Sequence, residues 1–298
     1  MRLSTSFAAA AAAVVVAGPA IAQAPAAPPT RAAVVAPPVA QAPASDLALR
    51  AAVTSPLRSD ANKARDGARR PVETLQFWGV KPGVTVLEIA PGAGWWTEII
   101  APYTAKTGGR YVATGPIIEG PGSSDQSRAS HAAFVKKYED AATYGKISVT
   151  PFGTQVKGLG PDNSVDVAFT ARNVHNWMGQ PGRVDAVFAD LYRVVKPGGF
   201  LGVEEHRAVN MKPGASDGYV SEAYVIEAAT KAGFVLDARS EINANPKDTK
   251  DHPFGVWTLP PTRNTAPMGQ PANPQFDRTK YEAIGESDRM TLRFRKPA

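Results

Sequence analysis

Apolar positions run almost without a break through Val84, Val86, Leu87 and Ile89, and then give way to the small residues Ala90-Pro91-Gly92-Ala93-Gly94. A β-branched, apolar run of this kind is expected of a strand buried on both faces. The small residues allow a tight turn whose N–H groups can approach a ligand, and the stretch 97–103 follows as a helix with its positive end toward that turn. Glu88 sits near the carboxyl end of the strand, the edge at which doubly wound sheets bind ligands. The pattern then repeats. Strands are predicted over 110–114, 146–150, 164–170, 200–204 and 234–242, alternating with helices over 124–144, 183–195 and 221–232. In the helix over 183–195, Val184, Val187, Phe188 and Leu191 recur at helical spacing. Alternation of this type predicts an α/β, doubly wound sheet with helices on both faces. Positions 289–295 alternate as a last strand, and the charged stretch 59–80 is helix-compatible with Pro71 suited to a first helical position.

Two segments fall outside this pattern. Residues 1–22 begin with Arg2, continue through an apolar run from Phe7 to Ala17 and end in Ala20-Ile21-Ala22, the small-x-small form of a cleavable secretory signal. Residues 23–50 are rich in alanine and proline and predict an extended linker, which leaves 51–298 as the domain. The expected product is soluble, not membrane-spanning, and periplasmic or secreted. The second segment, 243–287, is rich in proline and asparagine and starts at the ligand edge of the sheet, so it reads as a lid or a surface insertion.

The formal net charge is +6, and the chain has no cysteine. The absence of cysteine rules out a disulfide framework and a lipidated cysteine. The basic residues are interspersed with acidic ones and form no compact stripe with aromatics, so no specific nucleic-acid partner is expected. The expected partner is a small-molecule substrate.

The glycine turn has two readings. A dinucleotide-binding turn requires G-x-G-x-x-G, whereas the spacing here is Ala90-x-Gly92-x-Gly94, followed by Trp95 and Trp96, which would crowd a pyrophosphate. The turn instead resembles motif I of the class I S-adenosylmethionine-dependent methyltransferases, acidic-x-Gly-x-Gly-x-Gly, with Ala90 in place of the first glycine. Asn173-Val174-His175-Asn176-Trp177 after the fourth strand, and Tyr192-Arg193-Val194-Val195-Lys196-Pro197-Gly198-Gly199 before the fifth, extend the resemblance to a branch of predicted exported bacterial methyltransferases. It covers roughly residues 71–242 and returns at 288–297.

The resemblance implies a Rossmann-like sheet of seven strands, mostly parallel with an antiparallel last strand, and S-adenosyl-L-methionine as cofactor. It places the cofactor across Ala90, Gly92 and Gly94, with Glu88 toward its amino-acid end, Trp95 beside it and Asn173 on the far wall. It also implies an acidic residue at the end of the second strand for the ribose hydroxyls. This chain has Gly115-Pro116 there, and Glu119 is the nearest carboxylate. His175, Glu204 and His206 map to carboxyl ends of neighbouring strands and are the candidate bases, with Glu204 and Glu205 on opposite faces if the strand continues. Imidazole and carboxylate also suit divalent metals, but no short paired spacing supports a site and no metal is expected. A catalytically inactive protein of the same fold, serving as a periplasmic binding or partner module, is the alternative function.

Overall fold

The computed structural model describes residues 46–153, 158–209 and 216–298; the signal expected at 1–22 and nearly all of the linker lie outside them. The domain begins earlier than position 51. Helix α1 (Leu47–Val53) is capped by Asp46, whose carboxylate accepts the Leu49 N–H at 3.0 Å, and Leu49 is fully buried. The same carboxylate accepts the Tyr103 hydroxyl, so residues 46–50 belong to the domain.

Three short helices follow, α2 (Asp60–Lys63), α3 (Asp66–Arg69) and α4 (Pro71–Phe77), and Pro71 occupies the first helical turn as its missing N–H allows. The alternating region then gives β1 (Thr85–Ile89), α5 (Thr97–Thr107), β2 (Arg110–Gly115), α6 (Asp125–Lys137), α7 (Ala141–Tyr144) and β3 (Ser148–Pro151). It continues through β4 (Val165–Ala171), α8 (Val174–Met178), α9 (Arg183–Val194), β5 (Val195–His206), α10 (Glu222–Ala232) and β6 (Val235–Ser240). After the long insertion, which holds α11 (Thr279–Ile284), the domain closes with β7 (Arg289–Arg295).

The seven strands form one sheet in the order β3-β2-β1-β4-β5-β7-β6. β1 is interior, parallel to β2 and β4, while β7 runs antiparallel between β5 and β6. Alternation along β1 divides its side chains between two cores. Leu87 and Ile89 pack with Val187, Phe188 and Leu191 of α9, while Val86 packs with Ile99 and Ile100 of α5 and with Trp78 and Phe169. Each fully buried aliphatic or aromatic side chain of this kind is worth about 1.5–3 kcal/mol, so both faces hold β1 in place.

Two boundaries differ from the pattern. The helix predicted over 124–144 breaks after Lys137, because Asp140 accepts the Ala142 N–H at 3.0 Å and starts a new helix. β5 begins at Val195, which pairs with Val165 before a register irregularity passes the pairing to Phe200 and Val167. The segment 243–287 is packed against the domain. Thr258 and Leu259 are fully buried, and Asp248 accepts the Tyr219 hydroxyl at 2.9 Å and the Asp288 N–H at 2.7 Å and meets His252 Nε2 at 2.8 Å. No helix among the described residues is long and apolar enough to cross a membrane.

Candidate functional site

Two clefts open at the carboxyl edge of the sheet. The first, of about 290 Å³, is lined by Ala90, Gly92, Thr114, Gly115, His131 and Phe152 among others. Its floor is the turn after β1. Ala90 sits in the left-handed region at φ 52°, and its N–H donates to Thr114 Oγ1 at 2.7 Å, which ties the turn to the end of β2. Gly92 has φ 56°, and a Cβ there would meet nothing within 4 Å, so its missing side chain leaves open cleft. Gly94 is constrained by packing instead. A Cβ there would come within 2.0 Å of the Tyr138 hydroxyl, which donates to the Gly94 carbonyl at 3.2 Å and holds α6 to the turn.

The end of β2 explains the absent carboxylate. A Cβ at Gly115 would lie 2.7 Å from Val149 Cγ1, so the packing of β2 on β3 leaves little room there for a larger residue. His131 of α6 lines the space instead, and its buried Nδ1 has no hydrogen-bond partner among the described residues. Glu119 lies on the exposed loop beyond Pro116 and does not line the cleft.

Glu88 lies beneath the turn, only 3% exposed. Its carboxyl group accepts the Tyr111 hydroxyl and lies 3.4 Å from Thr97 Oγ1. Burial pushes it up to about 8, against the opposing effect of the Tyr111 and Thr97 bonds and the Arg172 charge. Trp95 is also buried. Its Nε1–H donates to the Asn62 carbonyl at 2.9 Å, and the guanidinium groups of Arg58 and Arg69 lie 5.4 and 4.9 Å from its ring. Asn173 joins strands, since its Nδ2 donates to the Ile89 carbonyl at 3.3 Å and the Ala171 carbonyl at 3.1 Å.

The second cleft, of about 320 Å³, lies at the ends of β4 and β5 and includes His175, His206, Arg172 and Trp257 in its lining. Here the two glutamates of β5 separate. Glu205 faces α8, where it accepts the Val174 N–H at 2.7 Å and the His206 N–H at 2.9 Å, and its Oε1 meets His175 Nδ1 at 3.0 Å. A carboxylate accepts, so His175 donates from Nδ1 and keeps Nε2 as its free nitrogen. Glu204 faces the other way, 2.8 Å from Arg289 Nε and 3.4 Å from Arg172 Nη1. The structure therefore brings together His175 and His206, with ring centres 5.3 Å apart, and engages Glu204 in ion pairs instead. His206 is held well below its ordinary pKa by burial, with His175, Arg172 and Arg289 adding to the effect, and it is neutral at physiological pH.

The nearest metal-like arrangement among the described residues is His175, Glu205 and His206, with one ligand atom from each within 4.8 Å of the others. Glu205 is already occupied. Its two oxygens serve the N–H groups of Val174, His175 and His206 and the His175 ring, which fills the roughly four acceptor sites of a carboxylate.

No protein-family model matches the sequence. The chain is 27% identical over 187 residues to sterol 24-C-methyltransferase of Yarrowia lipolytica (strain CLIB 122 / E 150), a match over 56% of this chain and 43% of that protein. It thus spans less than half the length of the curated relative it matches. Among solved structures it is similar to a putative sarcosine dimethylglycine methyltransferase from Galdieria sulphuraria, with TM-score 0.49, 13% identity and coverage of 82% and 91% of the two chains. It is also similar to geranyl diphosphate C-methyltransferase from Streptomyces coelicolor A3(2), with TM-score 0.48, 13% identity and coverage of 83% and 84%. The strand order, the antiparallel β7 and the glycine turn after an interior β1 make the fold a Rossmann-like, doubly wound sheet of seven strands.

On this fold, the residues that sequence reasoning missed are His131 and the arginines of the second cleft, and of the two β5 glutamates it is Glu205 that backs His175. Arg65 and Arg69 are four positions apart, at the two ends of α3. That spacing is visible in the charged stretch 59–80 but indistinguishable there from a solvated face. His131 gave no sequence signal, because only the β2–β3 packing makes its position matter.

Proposed function

We propose that the chain is an S-adenosylmethionine-dependent methyltransferase acting on a small-molecule acceptor, exported by its segment 1–22 and working in the periplasm or outside the cell. The observation that carries the reading is the open cleft above Gly92 at the carboxyl end of an interior β1, on the same edge of the sheet as the second cleft with its carboxylate-backed His175. Gly92 leaves open space in the cleft where a Cβ would project, and the apolar walls at Phe152 and Phe134 suit the flat face of a nucleoside.

When bound, the cofactor supplies an electrophilic methyl group. The protein's part is then alignment and removal of the acceptor's proton. His175 receives that proton at Nε2, while Glu205 fixes the tautomer through Nδ1 and stabilises the imidazolium that forms. Asn173 ties the end of β4 to β1 and so keeps His175 in register with the turn.

A second reading rests on Gly115. With little room at position 115 for the ribose carboxylate, the same fold would serve as a binding module without transfer. Titration calorimetry with S-adenosylhomocysteine tests the first requirement of both, with micromolar dissociation constants expected. An intact protein that shows no heat up to millimolar ligand would remove the methyltransferase reading. Binding without transfer of radiolabelled methyl to any component of a small-molecule extract would select the second.

A further inference from the structure

We propose that the second cleft binds an oxyanion, a carboxylate or phosphate group, through Arg65, Arg69 and Arg172, and that the methyl acceptor is therefore a small anionic molecule. The identification as acceptor rests on the methyltransferase reading; the anion site does not.

Positive charge outweighs negative charge in this cleft. It is lined by the guanidinium groups of Arg65, Arg69, Arg172 and Arg289, against the carboxylates of Glu286 in the lining and of Glu204 and Glu205 behind it. Glu286 is shared among three of them, accepting from Arg65 Nε at 3.0 Å, from Arg69 Nε at 3.0 Å and from Arg289. Although burial alone would raise it, Arg289, Arg172 and Arg65 hold Glu286 below its ordinary value, so it is ionised and fully engaged. Arg289 is engaged as well, by Glu204, Glu286 and the Ala68 carbonyl.

A surplus remains. Among the described residues, the terminal nitrogens of Arg65 and Arg69 make no hydrogen bond, and Arg172 reaches Glu204 only through Nη1 at 3.4 Å. Arg69 is 2% exposed, so its charge is compensated poorly by water. Arg69 is paired through Nε with Glu286 and lies over the Trp95 ring, which leaves the outer edge of its guanidinium for a further acceptor; planar guanidinium forks are the protein's usual receptors for carboxylate and phosphate. Arg172 is also held in the left-handed region at φ 60°, a strained conformation that the fold maintains at the mouth of this cleft.

The surroundings favour an anion over a metal ion. A cation at His175 and His206 would meet the Arg172 and Arg289 charges that already depress His206, and it would have to displace the N–H groups that fill Glu205. The roof completes the site: Trp257, in the 243–287 segment, lies 5.9 Å from the His175 ring, so an anion held by the arginines places its apolar part beside the candidate base.

The test uses the purified protein with three probes, inorganic phosphate, benzoate and Zn²⁺, followed by NMR of the His175 and His206 rings and by calorimetry. S-adenosylhomocysteine is titrated separately. Phosphate or benzoate is expected to bind in the millimolar range or tighter and to weaken with added sodium chloride; the better of the two identifies the acceptor's acidic group. Arg65→Gln with Arg172→Gln is expected to weaken that binding at least tenfold. Arg65→Gln alone, at a partly exposed position, shows the same direction should the double variant unfold. Arg128→Gln, on the exposed face of α6, serves as the control without effect. Anion binding in a protein that ignores S-adenosylhomocysteine would keep the site and discard the methyltransferase reading. Anion affinity unchanged in the arginine variants, no response of the wild-type protein to either anion, or a Zn²⁺ response at the two histidines without an anion response would each overturn the proposal.

Discussion

His175 Nδ1 and Glu205 Oε1 lie 3.0 Å apart, and the same carboxylate receives the backbone N–H groups of the residues on either side of it in space, Val174 and His206. The dyad is thus built into the backbone of α8 and β5, and the candidate base cannot be reoriented without disturbing the junction of β4 with α8.

Glu205→Ala is therefore expected to be costly. It would leave buried donors unpaired at Val174, His175 and His206, each worth about 1–3 kcal/mol. Urea denaturation should show a loss of more than about 3 kcal/mol, and ¹⁵N NMR of the His175 ring should show the Nδ1–H form giving way to a tautomeric mixture. A loss below about 1 kcal/mol would mean that water replaces the carboxylate.

Gly92→Ala and Gly94→Ala should fail in different ways. The added methyl at position 92 meets open cleft and costs only the strain of a left-handed alanine, about 1–2 kcal/mol, so the fold persists while S-adenosylhomocysteine binding falls at least tenfold. The methyl at position 94 collides with Tyr138 and should destabilise the protein by about 2 kcal/mol or more whether ligand is present or not. Thermal unfolding and calorimetry on the pair check the contrast, and equal ligand affinity in wild type and Gly92→Ala would move the cofactor away from this turn.

Most of the fold was legible because its elements announce themselves locally. The apolar run at Val84–Ile89, the helical spacing of Val184, Val187, Phe188 and Leu191, and the alternation at 289–295 each commit a segment without help from the rest of the chain. The candidate site was legible only where it rides on those elements, as with Gly92 and His175, which line the two clefts. Its other parts depend on contacts between distant segments. The choice between Glu204 and Glu205 turns on which face of β5 meets α8, and the partnership of Arg69 with Glu286 spans 217 positions. The packing of 243–287 draws on buried polar anchors such as Asp248 and Glu286, which a proline-rich sequence does not reveal.

At the β2 end of the cleft, Glu119→Ala is expected to leave S-adenosylhomocysteine affinity unchanged, because the side chain is on an exposed loop outside the lining. His131→Ala is expected to weaken binding severalfold, by about the 0.5–1.5 kcal/mol of one hydrogen bond, since its unpartnered Nδ1 faces the position that a carboxylate at Gly115 would have served. Calorimetry on the two variants separates them, and the reverse order would show that the 116–122 loop swings Glu119 inward on binding.

Stability should also carry a pH signature of the buried carboxyl groups. Glu88 has an ordinary pKa of 4.5 and is pushed up to about 8 in the folded protein by burial. Between those values the folded state retains a proton that the unfolded state has released, so this group makes stability fall as pH rises. The slope is at most about 1.4 kcal/mol per pH unit, and it levels off once pH passes the folded value. Glu286 acts in the opposite sense at lower pH, since its folded pKa is depressed and its contribution is lost as pH falls through that value. Glu88→Gln separates the two effects, because the amide imitates the protonated carboxyl group and can still accept from Tyr111. Urea denaturation from about pH 5 to 9 should show the variant gaining on the wild type steadily up to about pH 8 and holding that advantage above it. A constant difference across the range would mean that Glu88 is ionised in the folded protein and that its charge is compensated beneath the turn.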